Sequence, residues 1–588
     1  MRRLATLLAI ALLAAPAAAA AKQDPPAVKE PTAIGRGGAA ATVDVLATKA
    51  AVDVLRRGGN AVDAAVAAAG VLGVTEPFSA GIGGGGFMVI RTATGKVTTI
   101  DSRETAHEAM EPDSLWEGGA PLAFNDARYS GLSAGVPGTV RGWEEALRRY
   151  GTMSLRKLLR PAIEVARKGF VVDQVFFDQT LGNVDYFDDV PSTRELYLDP
   201  DGTPHDVGTV FRNPDLAGTY KRLGKLGAKG FYRGDVAEAI VDAVRQPPVA
   251  ADANHVWRPG LMTLRDVRRY AALEREPTRV GYRGLDVYGM GPPSSGGSTV
   301  GEALNILEGF DLSAATRAQA FHLYLEASRF SFADRNAYLA DPAYFDVPLT
   351  GLLSDAFAAE RMALIDPAHA ATSPVAPGNP YPHDVAGVAA ATAAQGETTT
   401  HLTVSDRKGT VVSYTFTIES TGGNGIVVPG WGFLLNNELT DFNFDSLTHP
   451  NRADGNKRPR SSMSPTIVLD DGEPFLALGS PGGSTIITTV LQILVDRLEL
   501  GSTLPEAIAT PRATQRNTAA TLAEAAFLSS PLADELETTY GHVLGPTGEI
   551  GAATGIEFLS DGRVLAAAEP VRRGGGSAMI APSKKQGG

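Results

Sequence analysis

Apolar and polar positions recur along this chain in two rhythms, and the change between them falls near residue 399. Upstream, ATKAAVDVLRRGG and NAVDAAVAAAGVLGV carry helical spacing and are separated by Gly58-Gly59, which predicts two helices. GFMVIRTATGKVTTIDSRE alternates on both sides of Thr94-Gly95-Lys96 and predicts a hairpin. PGTVRGWEEALRRYG reads as a helix ending at Gly151, and AFHLYLEASRFSFADRNAYL as a longer amphipathic one. Downstream the period shortens. THLTVSD, TVVSYTFTIE, WGFLLNN, PTIVLD and PFLALGS predict strands, with a helix at STIITTVLQILVDRLEL. Helices flanking a strand-rich middle predict a layered α/β (α+β) fold with mainly antiparallel pairing.

The first residues alter where this fold is expected to work. MRRLATLLAIALLAAPAAAAAKQDPP gives two arginines, an apolar run and then small residues, the order of a secretory signal over residues 1–22. A retained N-terminal anchor is the alternative. Residues 23–39 read as a flexible leader. No other segment offers about 18 unbroken apolar residues. The mature protein is therefore expected to be exported, periplasmic or extracellular, without a membrane span. It has no cysteine, so neither disulfides nor thiol chemistry nor Cys-ligated zinc enters. A formal net charge of −13 argues against a nucleic-acid partner.

Three short motifs match known chemistry in letters only. GIGGGGF lacks the Lys-Ser/Thr of a phosphate loop and runs into a predicted strand, so a crowded turn is expected. GLSAG fits G-x-S-x-G, but Pro137 follows and the strand before it is weak; SLRK has neither companion motif of the β-lactamase pattern. The nine histidines show no H-E-x-x-H spacing, and no metal or cofactor is expected.

The segment GETTTHLTVSD raises a different chemistry. A loose stretch, TSPVAPGNPYPHDVAGVAAATAAQ, ends abruptly at Thr398-Thr399-Thr400-His401. A threonine hydroxyl is a weak nucleophile unless a base lies beside it, and its own α-amino group, titrating near pH 8, is one such base. That amine exists only if the chain is cut just before the threonine. A strand-forming Thr run is the plainer explanation of the same residues.

TTHLTVSD, NNELTDF, KRPRSSMSPTIV and GSPGGSTIITTVLQ, with EPFSAGIGGGGFMV, DSRE, GVPGTVRGW, GYRG and GPPSSGG upstream, stand in the order seen in the γ-glutamyltranspeptidase family. The chain resembles that family from about residue 40 to 575. The resemblance implies an N-terminal-nucleophile hydrolase with a four-layer αββα sandwich, made as one precursor that cuts itself. It implies a large subunit of residues 40–398 and a small catalytic subunit of 399–588, held as a heterodimer. Thr399 would be the nucleophile and Thr398 the last residue of the large subunit, with Thr398 or Thr400 as alternative nucleophiles.

The same resemblance assigns further roles. Thr417 would hydrogen-bond near the new amine, although pattern alone leaves residue 416 or 417 opposite Thr399. Arg103 would grip the substrate α-carboxylate with Ser461 and Ser462. Asp441, Glu438 and Glu419 would surround the α-ammonium, and Gly482 and Gly483 would offer oxyanion-hole N–H groups. Two departures stand out. Glu replaces the Asn that some members carry at 419, and residues 442–456 are short and lack the tyrosine of a lid. The implied activity is γ-glutamyl transfer and hydrolysis, with glutathione-like donors and water, an amino acid or a peptide as acceptor. A glutaryl-cephalosporin acylase and an uncut binding protein are the alternatives.

Overall fold

The structure is a computed structural model that describes residues 28–384 and 398–582. The expected signal over 1–22 lies outside the described residues. Fourteen strands build two sheets: β1 (Thr32–Gly35), β2 (Gly37–Thr42), β3 (Gly85–Arg91), β4 (Val97–Asp101), β5 (Leu273–Arg275), β6 (Thr278–Tyr282), β7 (Leu285–Gly289), β8 (Thr400–Ser405), β9 (Val411–Thr417), β10 (Thr466–Asp470), β11 (Glu473–Gly479), β12 (Thr554–Phe558), β13 (Val564–Ala568) and β14 (Ser577–Pro582). The first runs β1-β13-β12-β11-β10-β7-β6 and the second β14-β2-β8-β9-β3-β4-β5. Every pair in both is antiparallel.

Strand alternation sorts the second sheet's two faces. Leu402, Val404, Val412, Tyr414 and Phe416 share a core with helices α1 (Val45–Arg56) and α2 (Ala61–Thr75). Asp44 caps α1, and Asn60 with Asp63 forms a capping box on α2. Gly58, at φ +92°, makes the turn between them. Leu402→Ala would cost about 2–5 kcal/mol through the cavity it leaves. On the far side, helices α3 (Gly296–Glu308), α4 (Arg317–Tyr338) and α5 (Thr485–Leu498) share a second core with the first sheet. The layers thus run helix, sheet, sheet, helix, as the αββα expectation requires.

The alternate positions of β8 and β9 face the first sheet and, Val411 apart, are polar. His401 lies buried there, with Nδ1 at 2.8 Å from Thr415 Oγ1 and Nε2 at 3.1 Å from Thr403 Oγ1. Burial pushes its pKa down to about 3, so the ring is neutral. A Cβ at Gly479 would stand 2.3 Å from that ring, so β11 needs glycine there.

Four expectations need correction. The leader does not extend to residue 39, because β1 pairs with β13, and β2 with both β8 and β14. Their Gly/Ala-rich sequences hide a strand period that only pairing reveals. WGFLLNN is no strand; it contributes an isolated bridge, Val427 to Leu434. Helix α4 is buried on nearly every side, and its charges are paired internally: Arg329 Nε to Glu326 at 3.0 Å, Arg361 to Asp334 at 2.8 Å. The loose stretch is folded as far as residue 384, where Val375 N donates to Asn517 Oδ1 at 2.7 Å and Tyr381–His383 forms a 3-10 turn. Residues 385–397 lie outside the described residues. No helix among the described residues is long and apolar enough to cross a membrane.

Candidate active site

The β8–β9 register pairs Thr400 with Phe416 and His401 with Thr415. Extended by one residue it sets Thr399 opposite Thr417, which resolves the ambiguity between 416 and 417. Thr399 Oγ1 donates to the carbonyl oxygen of Thr398 at 2.7 Å, and Thr417 Oγ1 donates to the same oxygen at 2.7 Å. The two hydroxyl oxygens are 3.3 Å apart.

Thr398 itself is held by Glu419, whose carbonyl accepts its N–H at 3.1 Å and its Oγ1 at 2.9 Å. Glu419 adopts φ +78°, a left-handed conformation costly for a residue with a Cβ. Its own N–H donates to Thr417 Oγ1 at 2.8 Å. Arg573 closes the other side: Nη1 donates to the carbonyl of Thr399 at 2.7 Å, while Nη2 pairs with Glu76 at 3.2 Å. The peptide bond between Thr398 and Thr399 is therefore fixed on both flanks.

Beside these threonines lies a cavity lined by Arg103, Glu419, Glu438, Asp441, Ser461, Ser462 and Gly483. Its volume is about 20 Å³, room for a water molecule and not for a tripeptide. Arg103 lies two residues beyond the end of β4. Asp101, at the strand's end, accepts the Arg103 N–H at 2.9 Å and is itself pinned by Arg275 at 2.7 Å and Arg458 at 2.9 Å.

The Arg103 guanidinium pairs with Glu438 and with Asp441, and also donates to the carbonyls of Pro459 and Arg460 at 3.1 Å each. The expected carboxylate grip and the expected ammonium site thus bind each other in the uncut chain. Burial, reinforced by the Asp441 charge, pushes Glu419 up to about 7. Asn437 Nδ2 and Ser420 Oγ donate to the same Glu419 oxygen. Glu104 lies wholly buried next to Arg103 with neither carboxylate oxygen hydrogen-bonded, and burial pushes it up to about 8.

Ser461 and Ser462 stand where the 293–295 loop meets the chain: Ser461 N donates to Pro293 O at 3.0 Å, and Ser295 Oγ to Ser461 O at 2.6 Å. Arg335 of α4 reaches Ser462 Oγ at 2.6 Å. Gly482 and Gly483 form the turn from β11 into α5, with φ +131° and +54°. Gly483 lines the cavity, whereas Gly482 lines a second one beyond Thr398, with Thr485 and Arg573.

Of the residues expected from sequence, all but Gly482 line the first cavity. Sequence reasoning missed Arg335, Asn437 and Arg573. Arg335 was hidden by reading α4 as half-solvated, and its signal was the density of charge within an apolar helix. None of residues 442–456 lines the cavity; that segment is tied down by Lys457 Nζ, which donates to Pro450 O at 2.6 Å and Arg452 O at 2.9 Å.

This arrangement matches the comparisons with known proteins. The family model described as gamma-glutamyltranspeptidase matches residues 47–579. The glutathione hydrolase proenzyme of Bacillus subtilis (strain 168) is 39% identical over 525 residues, covering 87% of this chain and 86% of that protein. The acylase ACY 1 proenzyme of Pseudomonas sp. (strain SE83) is 34% identical over 547 residues, covering 91% and 92%. Among solved structures, a cephalosporin acylase from Bacillus halodurans superposes with a TM-score of 0.82 at 25% identity, covering 97% of this chain and all of that one. With the threonine pair, the two-sheet architecture and a match across nearly its whole length, the chain belongs to the γ-glutamyltranspeptidase family.

Proposed function

We propose that this chain is the precursor of an exported γ-glutamyl acyltransferase and hydrolase that cuts itself before Thr399. The observation that carries the reading is the convergence of two hydroxyls, Thr399 and Thr417, on the Thr398 carbonyl at 2.7 Å each. In the first reaction Thr399 Oγ1 attacks the Thr398 carbonyl carbon and its proton passes to the departing Thr399 nitrogen. The resulting ester is opened by water, which leaves a carboxylate on Thr398 and a free α-amine on Thr399.

In the mature enzyme that amine is the general base for its own hydroxyl. Thr399 Oγ1 attacks the γ-carbonyl of the donor, and the N–H groups of Gly482 and Gly483 meet the oxyanion. The amine proton goes to the leaving nitrogen, and a γ-glutamyl-threonine ester remains. Water or an acceptor amine, deprotonated by the same α-amine, releases the acyl group. The relatives named glutathione hydrolase support glutathione or a similar γ-glutamyl amide as donor.

The buried Arg103–Asp441 pair supports a zwitterionic substrate head. An α-amino acid can enter such a pair by exchange, its carboxylate taking Arg103 and its ammonium taking Asp441, so that no charge is left alone. Since residues 442–456 line no part of the pocket, water should reach the ester readily. A dipeptide acceptor should leave substantial hydrolysis, measured as free glutamate; nearly exclusive transfer would overturn that point.

A second reading, deacylation of glutaryl cephalosporins, is favoured by the acylase names among the similar proteins. The primary test is the cut. Purified wild type should run as two chains on a denaturing gel, the smaller beginning Thr-Thr-His-Leu, and Thr399→Ala should stay whole and inactive. Cleavage of the alanine variant at the same bond would refute the intramolecular route.

A further inference from the structure

Away from the pocket, α4 carries His322 and Glu326 one helical turn apart, so both side chains leave the same face. His542, from the loop after the helix at Pro531–Thr538, meets them there. One ligand atom from each of the three lies within 4.8 Å of the others, and all three residues are buried. It is the only such grouping of His, Asp and Glu among the described residues. We propose that His322, Glu326 and His542 form a binding site for a divalent transition metal of the zinc type.

The surroundings orient the ligands as such sites require. His322 Nε2 lies 2.8 Å from the carbonyl oxygen of Asp366, which must accept, so that nitrogen bears the proton and Nδ1 keeps its lone pair. His542 Nε2–H therefore donates to Nδ1 at 2.9 Å; a bound ion would take the place of that proton, which moves to His542 Nδ1, buried without a hydrogen-bond partner. Tyr540 stacks on the His322 ring and fixes its plane. Glu326 accepts Arg329 Nε at 3.0 Å and the Ala371 N–H at 3.1 Å, bonds that hold its carboxylate in place and leave lone pairs on both oxygens.

Two imidazoles and one carboxylate leave a tetrahedral ion one open position. The Arg329 charge beside the site would favour an anionic ligand there, hydroxide or chloride. The sequence conceals this grouping because its third ligand lies far along the chain.

His322 and Glu326 precede Thr399 and His542 follows it. If the cut proposed above occurs, the metal would tie the two chains together; binding itself does not depend on the cut. The site is about 14–20 Å along α4 from Arg335 at 1.5 Å per residue, so it should not alter turnover of a γ-glutamyl anilide.

The test uses untagged, chelator-treated full-length protein titrated with Co2+ and then Zn2+. A visible absorption band saturating at one equivalent of Co2+, bleached by Zn2+, is expected. His542→Ala should abolish the band, and Glu326→Gln should weaken binding at least about tenfold, by the loss of an anionic ligand. Circular dichroism confirms that each variant is folded. Absence of a stoichiometric band in folded wild type, or an unchanged band in His542→Ala, would overturn the site. A gel showing uncut but metal-binding protein would refute only the cleavage reading.

Discussion

The two ends of the active-site pocket are built on different principles. At the threonine end no charge touches the hydroxyls; Thr399 and Thr417 are set by strand register, and Thr398 is held by the Glu419 carbonyl. At the other end Arg103, the Glu438–Asp441 turn and Glu419 arrive from three segments and bury their charges, Arg103 pairing with Glu438 and Asp441. A position fixed by backbone pairing cannot exchange partners without breaking a sheet. A buried ion pair can exchange one partner for another of the same sign. The fixed end suits bond-making and the exchangeable end suits recognition.

Exchange can be tested with a substrate that offers half of what the pocket demands. A glutaryl amide supplies the carboxylate for Arg103 and no ammonium for Asp441, leaving a buried carboxylate unpaired. Sites built around a substrate polar group reject analogues that lack it by up to about 10⁴. Water entering the pocket of the cut enzyme should soften this to roughly 10²–10³ in kcat/KM. Asp441→Asn should shrink the gap by weakening the γ-glutamyl side. Assays of γ-glutamyl- and glutaryl-p-nitroanilide decide the matter, and equal turnover by wild type would move the assignment to the acylase.

The fixed end predicts a smaller effect. Arg573 holds the Thr399 carbonyl from outside the sheet, and a hydrogen bond from a charged donor contributes about 1.5–3 kcal/mol. Arg573→Ala should slow self-cleavage roughly 10- to 100-fold, followed on gels over time, with a much smaller defect in Arg573→Lys. Cleavage at the wild-type rate in Arg573→Ala would show that register alone positions the bond.

The last effect is on stability rather than rate, at Glu104. Burial raises its folded pKa to about 8 from the ordinary 4.5, so between those values the folded chain holds a proton the unfolded chain has lost. Its contribution is complete below the unfolded value and is lost as pH rises through the folded one. Over that window it should lower stability by about 1.4 kcal/mol per pH unit. Urea unfolding of uncut Thr399→Ala across that range should show the slope, and adding Glu104→Gln should reduce it by that amount. An unchanged slope would place the titration on other groups.

How much of this was legible in sequence follows the same division. The helices flanking Gly58-Gly59, the hairpin at Thr94-Gly95-Lys96 and the strands from Thr400 carry their own periodicity, and local pattern sufficed. Strands β1 and β2 could not be seen, because runs such as GGAAAT become strands only when neighbours pair with them. Every residue expected from the family's motifs except Gly482 lines the pocket. The pairing of Arg103 with the very acids expected to receive a substrate was invisible, since it depends on which side chains meet in the folded, uncut chain. Arg573 was missed because a Gly-rich turn near the C-terminus gives no pattern that points to residue 399.

The interleaving of strands has a consequence for the protein's history. In both sheets, strands from before and after Thr399 are joined at five seams: β1–β13, β7–β10, β2–β8, β2–β14 and β3–β9. While the backbone is whole, those seams close within one molecule. After a cut at Thr399 the same pairing would require two separate chains to find each other, each exposing unpaired strand edges that favour aggregation. The mature molecule would then persist because it unfolds slowly rather than because it can recover, and its lifetime would be set by a rate. Self-cleavage would make folding an event that happens once.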